Sequence, residues 1–545
     1  MPSLTYFSGV AAVVGSLISP ILLAQAPRPA SARPETYAQT ITADDLRKHL
    51  TILAADDMEG RETGTPGQKR AADYIAKQLA ADGLNPIVPG ADGKASYLQP
   101  FTLYKKTWGE FYVKSGSKQF AYLTDFLTNG LLNLPQETNY ETVFVNYGIV
   151  DDKFNDYVNL DVKGKAVVML DGEPKNPDGS SAVSNAKDPS KWGKPDSWRL
   201  RAQAAKDKGA AQVFIISAAN TEEFKKLLTE RGALQQRFNR LSLKPGQENV
   251  GTVGTFMIST DMAAALLGKS PEQMTKAIEQ IRTKGTSMVG KLAGNVAVKA
   301  ERKDENVLTE NVMGYVEGSD KKDEVVIVSS HYDHIGISPD GQINNGANDD
   351  GSGTVSVLEL AQAFAKAKAE GNGPRRSMLF LTVVGEEKGL LGSEYYADFS
   401  PVLSLSNTVC DLNIDMVGRV DDLHQNKSPK DNYIYAIGSD KLSSDLHRIS
   451  ENANSQYTQM ELDYKYNEAG DPERIYYRSD HYNFAKHKIP VIFYFNGLHA
   501  DYHRPTDDIE KIDFKLAEKT ARLVFYTAWE IANREERLKV DSNKP

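Results

Sequence analysis

The stretch Val325–Ser330, which reads VVIVSS, decides the fold, and it is followed at once by His331 and Asp333. Two further continuous apolar runs, Met378–Leu381 and Val491–Phe495, lie downstream. Runs of this kind lack the polar alternation of a half-exposed strand and are typical of strands buried on both faces of a parallel sheet. The three runs therefore predict the inner strands of one sheet.

Helical patterns alternate with these runs from Asn311 to Asn533. The segment Thr354–Ala369 carries its apolar residues on one helical face, and a last helix is predicted from Phe514 to about Asn533, with Asp513 as its N-cap. An order of strand, loop and helix predicts an α/β fold, with a mostly parallel central sheet flanked by helices.

The chain has 545 residues, too many for a single hydrophobic core, and its texture changes along its length. Helical patterns begin at Thr42 and at Pro66. Short β-type runs replace them from about residue 141 to residue 298, and we interpret this part as an inserted β-rich domain. The predicted divisions are an N-terminal part of the main domain over 41–140, the insertion over 141–298 and the remainder of the main domain over 299–545.

The first 26 residues have the pattern of a secretory signal. An apolar stretch from Val10 to Leu23 precedes Ala24–Ala26, a small-x-small cleavage site, although the n-region lacks Lys and Arg. The apolar stretch is short for a membrane span. We therefore expect a signal peptide over 1–26, a flexible leader over 27–40, and a periplasmic or secreted protein without a stable membrane span.

Composition narrows the function classes. The formal net charge is −9, which argues against a nucleic-acid partner because such proteins carry basic patches that neutralise phosphates. The single cysteine, Cys410, excludes an intrachain disulfide and a thiolate-rich metal site. It lies in an apolar run, and we interpret it as a small buried hydrophobe. The sequence leaves the oligomeric state open.

Acidic and imidazole side chains follow the predicted strands, at the point where each strand ends. These side chains are His331 and Asp333, Glu386 and Glu387, Asp415, and His499 and His503. The glycine-rich loop Asn345–Gly353 adds Asp349 to the set. Because ligands bind outside the carboxyl ends of the strands in an open α/β sheet, these groups could converge on one rim.

Each feature alone has an ordinary structural explanation: tandem glutamates suit the start of a solvated helix, and an Asp-rich glycine loop can be only a turn. Their joint occurrence at successive strand ends is far more specific and predicts a metal site. Imidazole and carboxylate without thiolate favour zinc, with manganese or cobalt as alternatives. Two histidines and three carboxylates fit two metals about 3.5–4 Å apart and leave one glutamate of the pair as a general base. Asp333 could orient His331.

Five motifs together resemble one family, the co-catalytic dizinc exopeptidases, which include bacterial leucyl-type aminopeptidases and glutamate carboxypeptidases. The motifs are His331–Gly336 (HYDHIG), Asn348–Gly353 (NDDGSG), Glu386–Ser393 (EEKGLLGS), Ile414–Met416 (IDM) and Tyr502–Asp508 (YHRPTDD). The middle region resembles the protease-associated domain inserted in many members, through Asn159–Val168 (NLDVKGKAVV). The resemblance implies a phosphorylase/hydrolase-like zinc exopeptidase fold.

The resemblance also implies two Zn²⁺ ions per chain and a ligand for each position. Asp349 would bridge both ions. His331 and Asp415 would complete the coordination of one ion, and Glu387 and His503 that of the other.

Further roles follow from the same resemblance. Glu386 would be the general base that takes a proton from a metal-bridging water, and Asp333 would orient His331. On the substrate side, Tyr477 or His481 would be an oxyanion donor.

The implied function is that of an aminopeptidase that hydrolyses N-terminal residues from peptides. A carboxypeptidase of the glutamate carboxypeptidase type is the alternative within the family. A glutaminyl cyclase-like aminoacyltransferase uses one zinc and predicts the loss of some ligands, and a non-catalytic binding ectodomain tolerates the loss of ligands and base. All five ligand positions and Glu386 are present, which disfavours both of these alternatives.

Overall fold

The computed structural model describes residues 33–90, 92–129, 132–152, 154–195, 197–237, 241–245, 253–284, 287–468 and 470–542. The predicted signal peptide and residues 27–32 of the predicted leader lie outside the described residues. Among the residues described, no helix is both long and apolar enough to cross a membrane.

The helices of the described part are α1 Pro34–Ala38, α2 Ala43–Leu53, α3 Pro66–Ala81, α4 Trp198–Asp207, α5 Thr221–Arg237, α6 Thr260–Leu266, α7 Pro271–Lys284, α8 Gly353–Ala369, α9 Leu391–Glu394, α10 Ser444–Ala453, α11 His481–Ala485 and α12 Phe514–Asn533. The predicted last helix is confirmed as α12. Its N-cap is Asp513, whose side chain accepts hydrogen bonds from the backbone N–H groups of Lys515 and Leu516. Thr42 caps α2 in the same way.

The strands are β1 Val88–Pro89, β2 Ala95–Ser96, β3 Leu98–Ser115, β4 Lys118–Ala121, β5 Phe126–Asn129, β6 Leu134–Phe144, β7 Val150–Asp151, β8 Phe154–Asn155, β9 Ala166–Leu170, β10 Gln212–Ala218, β11 Leu241–Ser242, β12 Thr255–Ser259, β13 Ala293–Val316, β14 Lys321–His331, β15 Arg376–Val383, β16 Thr408–Ile414, β17 Tyr433–Ile437, β18 Glu461–Asp463 and β19 Val491–Phe495.

One large sheet holds most of these strands, in the order β18-β17-β19-β16-β14-β15-β13-β6-β9-β10-β12-β5, while β3 pairs along β13. In the C-terminal half, β14 is parallel to β15 and β16, and β16 is parallel to β19. The pairs β13–β15 and β17–β19 are antiparallel. The predicted α/β fold with a mostly parallel central sheet is confirmed.

Alternate residues of the inner strands enter two different cores, which explains the unbroken apolar runs. Val326 and Val328 of β14 pack in the core that also contains residues of α8 and α12. Val325 and Ile327 point the other way, into a core with Phe484 of α11. A strand that is covered by helices on both faces has no exposed face on which polar residues could alternate.

Cys410 lies in β16 and is fully buried, as predicted. Burial in apolar surroundings raises the pKa of its thiol, because the thiolate form is not solvated there.

Most residues of one hydrophobic cluster come from the part of the chain predicted as an insertion, among them Phe144, Phe214 and Phe256, but Phe111 and Phe126 from before residue 141 belong to the same cluster. Strand β13 nevertheless pairs with β6 at one end and with β15 at the other, so the sheet runs on without interruption. The domain boundaries at residues 140 and 298 remain predictions.

The flexible leader predicted over residues 27–40 is wrong for its second half. Residues 34–38 form α1, in which Tyr37 and Ala38 are fully buried. The Tyr37 ring stacks on Trp529 of α12 with a centroid separation of 5.6 Å. The apolar residues of this segment show no helical periodicity, and α1 is held in place by its packing against α12, which is distant in sequence.

Candidate metal centre

The carboxyl ends of β14, β15 and β16 deliver side chains to one edge of the sheet. His331 is the last residue of β14, Glu386 and Glu387 follow the end of β15 at Val383, and Asp415 directly follows β16. Because these three strands are mutually parallel, their ends lie side by side.

Asp349 stands between the other predicted ligands. Its Oδ1 lies 3.4 Å from Nε2 of His331, and its Oδ2 lies 3.1 Å from Nε2 of His503. Nε2 of His331 is also 3.6 Å from Oδ1 of Asp415, and Nε2 of His503 is 3.0 Å from Oε2 of Glu387. The structure therefore brings all five sequence-predicted ligand positions together, in two groups that share Asp349.

The glycine loop before α8 allows this approach. Gly346 has φ +55°, and a Cβ there would lie 2.3 Å from the carbonyl oxygen of Asp349 and 2.5 Å from the ring of His334. Only glycine fits such a position. Asp507 then holds the loop from the other side, because its carboxylate accepts hydrogen bonds from the backbone N–H groups of Asn348 and Asp349 at 3.1 Å. Burial raises the pKa of Asp507 to about 6.

His334 joins the second group, and the sequence reasoning did not assign it a role. Its Nδ1 lies 2.8 Å from Oε1 of Glu387 and 3.7 Å from Oδ2 of Asp349. Nδ1 of His334 and carboxylate oxygens of Glu387 and Asp349 all lie within 4.8 Å of one another, so this trio could hold a metal ion. The signal was present in the quoted HYDHIG motif, where His334 stands three residues after His331.

Neighbouring groups fix the orientation of the ligands in the first group. Nδ1–H of His331 donates a hydrogen bond of 3.1 Å to the backbone carbonyl of Asp333, which turns Nε2 toward the carboxylates. The hydroxyl of Ser479 donates to Oδ2 of Asp415 at 2.7 Å. Ser479 in turn accepts a hydrogen bond from the side chain of Asn413 at 2.8 Å.

The carboxylate of Asp333 does not orient His331 as predicted. Its Oδ1 lies 3.8 Å from Nδ1 of His331, which is too far for a hydrogen bond. The acceptor for Nδ1–H is the backbone carbonyl of Asp333, at 3.1 Å. Instead, Oδ2 accepts a 2.7 Å hydrogen bond from the hydroxyl of Thr63, and Oδ1 accepts one of 3.2 Å from the backbone N–H of Glu386. Asp333 therefore positions the segment that carries Glu386.

Glu386 faces the first group, with Oε2 at 3.9 Å from Nε2 of His331. Burial raises its pKa well above the usual value; His331 opposes this shift and the carboxylate of Glu387 adds to it. Burial also raises the pKa of Glu387, but His334 and His503 outweigh it and bring that pKa to about 2. The adjacent glutamates are thus held in different electrostatic environments.

Arg61 is a further functional residue that the sequence reasoning missed. Its buried guanidinium donates to the carbonyl oxygens of Leu53, Tyr332, Asn345 and Gly346, at 2.7 to 2.9 Å. These carbonyls belong to α2, to the turn after β14 and to the glycine loop. One side chain from the N-terminal part of the chain therefore joins the segments that carry His331 and Asp349.

The donor set fits a bound cation. Within the described part of the chain, several buried atoms of the two groups have no hydrogen-bond partner: Oδ2 of Asp349, Oε1 of Glu387, Oδ1 of Asp415, Nε2 of His503 and both ring nitrogens of His334. Buried polar atoms left in this state are costly, and so many at one point indicate a missing positively charged partner. Imidazole nitrogen with carboxylate oxygen suits zinc and related divalent metals.

The two residues predicted on the substrate side differ in their surroundings. His481 is fully buried and its ring stacks on Phe493 with a centroid separation of 4.8 Å. Burial lowers its pKa to about 3. Tyr477 is 41% exposed and packs edge-on against Tyr482. Ser479, in the same segment, contacts Asp415. The oxyanion role of Tyr477 or His481 remains a prediction.

Comparison with known proteins agrees with this arrangement. Residues 311–528 match the model of Peptidase family M28. This part of the chain is a Peptidase family M28 domain. All the ligand positions of the two groups lie inside it, while Arg61 and Thr63 reach it from outside the matched region.

The chain is similar to two curated proteins and to a solved structure. Aminopeptidase YwaD of Bacillus subtilis is 26% identical over 243 residues, which cover 43% of this chain and 47% of the relative. A probable zinc metalloprotease of Pyricularia oryzae is 27% identical over 290 residues, covering 46% and 55%. The matched part thus spans about half the length of each. The structure of an aminopeptidase from Aneurinibacillus sp. strain AM-1 matches with 18% identity and a TM-score of 0.49, covering 93% of this chain and 98% of the other.

We expect His334→Ala to weaken the affinity for one of two divalent ions by about 10- to 100-fold, because the change removes a nitrogen that faces both Glu387 and Asp349. Competition with a chromophoric chelator measures this affinity directly. The control is His487→Ala, which removes a half-exposed histidine that faces only Asp398. Equal affinities in His334→Ala and the parent chain would show that His334 does not contribute to metal binding.

Proposed function

We propose that this protein is a zinc-dependent aminopeptidase that holds two Zn²⁺ ions per chain and releases N-terminal residues from peptides. The observation that carries the proposal is the position of Asp349, whose two carboxylate oxygens face two different histidines, His331 and His503. A carboxylate shared between two ligand groups is what a bridged pair of metals requires. The names of the two curated relatives, an aminopeptidase and a probable zinc metalloprotease, support the same assignment.

In this proposal the chain divides its ligands between two sites. His331 and Asp415 serve one site, Glu387 and His503 serve the other, and Asp349 serves both. His334 adds a nitrogen on the side of Glu387. Zinc bound there supplies Lewis acidity, which polarises a carbonyl and makes water more acidic.

Glu386 acts as the general base. Its carboxylate faces the first group and is not one of the five ligands assigned above, so it can take a proton from the attacking water and return it to the leaving amine. The backbone N–H of Glu386 donates a hydrogen bond to the carboxylate of Asp333, which holds the backbone from which the Glu386 side chain extends. Asp333 therefore acts as a positioning residue for the base.

The preference for an aminopeptidase over a carboxypeptidase is supported by the name of the Bacillus subtilis relative, an aminopeptidase. Arg61 does not offer a binding group for the C-terminal carboxylate of a substrate, because its buried guanidinium donates to four backbone carbonyl oxygens.

The proposal includes export to the periplasm or the medium, supported by the signal pattern of residues 1–26. It also includes a protease-associated domain over residues 141–298, supported by the Asn159–Val168 motif and by a hydrophobic cluster that draws most of its residues from this region.

Replacing Glu386 with Gln should lower kcat by about 10²- to 10⁴-fold, because the amide cannot accept the proton. Zinc content, measured by elemental mass spectrometry on the same sample, should stay at the parent value. Glu394→Gln, eight residues downstream and outside both ligand groups, serves as the control and should leave kcat unchanged. Normal turnover by the Glu386→Gln enzyme would refute the assignment of the base.

A set of three matched leucyl peptides tests the substrate class. The peptide with a free amino end and the same peptide with an amidated carboxyl end should both lose their first residue, while the N-acetylated peptide should not be cleaved. Mass spectrometry of the products identifies the bond that breaks. Cleavage of the N-acetylated peptide from its carboxyl end would instead identify a carboxypeptidase, and no cleavage of any of them would favour the non-catalytic alternative.

Export is tested by sequencing the amino terminus of the protein recovered outside the cytoplasm. Removal of the signal after Ala26 should give a chain that begins at Pro27. The control is a chain with Ala24 and Ala26 both changed to Gln, which should retain the first residues because the small-x-small site is lost. A parent chain that stays in the cytoplasm with its first residues intact would contradict export.

A further inference from the structure

A second histidine–carboxylate cluster lies outside both ligand groups, in the connection between β16 and β17. His424 is fully buried, and its ring stacks on that of Tyr433 with a centroid separation of 3.4 Å and an interplanar angle of 4°. Its Nδ1 lies 2.7 Å from Oδ1 of Asp421. Asp421 is itself held by the hydroxyl of Tyr435, which donates to Oδ2 at 2.7 Å. The imidazole ring is therefore fixed in position before any ligand binds.

The contact with Asp421 places the proton of His424 on Nδ1 and leaves Nε2 with a free lone pair. Nε2 is buried, and among the described residues it has no hydrogen-bond partner. It faces Asp463, whose Oδ2 lies 3.6 Å away. A carboxylate oxygen of Glu461 lies within 4.8 Å of both ligand atoms.

We propose that His424, Glu461 and Asp463 form a binding site for a divalent metal ion, separate from the M28 ligand groups. One imidazole nitrogen with two carboxylates is a donor set that suits Zn²⁺ or a similar first-row ion, and water completes the coordination. The Asp421–His424 pair reproduces the carboxylate–histidine–metal arrangement that sets the basicity and direction of a metal-binding imidazole. The site shares no residue with the proposed catalytic centre.

A lysine competes for one of the ligands without excluding the metal. Nζ of Lys427 lies 2.6 Å from Oε1 of Glu461, but the two side chains are 41% and 52% exposed. Exposed ion pairs of this kind contribute little, so a divalent cation can displace the ammonium group. Among the residues that the structure describes, no cation competes for the buried Nε2 of His424.

The position of the site indicates a structural role. Glu461 and Asp463 belong to β18, a three-residue strand at the edge of the sheet. His424 lies on the connection that follows Asp415. A metal at this point would fasten the connection to the edge strand, and Tyr433, which stacks on His424, also donates from its hydroxyl to the carbonyl of Asn496 at the start of the segment that leads to His503.

The test counts zinc in the full-length protein. The parent chain, His424→Ala and Asp463→Asn are stripped with a chelator, reloaded with Zn²⁺, freed of excess by gel filtration and analysed by elemental mass spectrometry. We expect both variants to bind one equivalent fewer than the parent and to lose the part of the zinc-dependent rise in Tm that this ion contributes. The control is His447→Ala, because His447 faces only one carboxylate, Glu451, at 3.5 Å, and should bind as much zinc as the parent.

The same comparison in an Asp349→Asn background keeps the outcome independent of the proposed catalytic metals. A drop of one equivalent in that background supports the site even if the parent binds fewer than two catalytic ions. Asp463→Asn preserves the shape of a partly exposed side chain, so it remains informative if His424→Ala does not fold. Equal zinc content in the parent and in Asp463→Asn would overturn the proposal.

Discussion

The accumulation of buried negative charge at one edge of the sheet constrains the rest of this site. Asp349, Asp350, Glu387 and Asp415 are all removed from water, and ionised carboxylates in that situation are costly unless hydrogen bonds or cations compensate them. Asp350 is compensated by the backbone, since it accepts from the N–H groups of His331, Gly353 and Met416. The other three retain oxygens that no donor satisfies within the described residues. The proposed metal ions would therefore stabilise this edge of the sheet as well as supply reactivity.

Backbone contacts hold the charged groups in place. Apart from His331, which ends β14, the ligands lie on the connections that follow or precede strands and helices, where backbone hydrogen bonding is less regular. Arg61 donates hydrogen bonds to carbonyl oxygens of the turn after β14 and of the glycine loop. Asp507 accepts hydrogen bonds from N–H groups of the glycine loop. Arg61 and Asp507 each form hydrogen bonds with several backbone groups. Together they hold the glycine loop, and with it Asp349, through both its carbonyl and its N–H groups.

The sequence predicted the inner strands because burial on both faces leaves an unbroken apolar run, as in Val325–Val328. It predicted the ligand positions because chemistry-bearing residues at successive strand ends converge in a parallel sheet. The roles of Arg61 and Asp333 could not be read in the same way. Both form hydrogen bonds with backbone atoms of distant segments. Every residue type has a backbone carbonyl, and almost every type has an N–H group, so the sequence does not show which of them a side chain will contact. The helix at residues 34–38 was missed because it owes its order to the packing of Tyr37 on Trp529, a contact between the two ends of the described chain.

The same contacts explain how the N-terminal helices and the M28 region form one centre although a long stretch of chain separates them. The hydrogen bonds of Arg61 to Tyr332 and Gly346 span 271 and 285 residues, so the centre forms only when these two parts meet. The cost of closing a flexible loop rises by only about 0.6 kcal/mol for each doubling of its length, so the number of residues between the two parts matters less than where the intervening stretch begins and ends. Strands β3 and β13 pair antiparallel from Leu98 opposite Val312 to Lys114 opposite Ala297, and this ladder brings the chain back to the M28 region beside the point where it left the N-terminal helices.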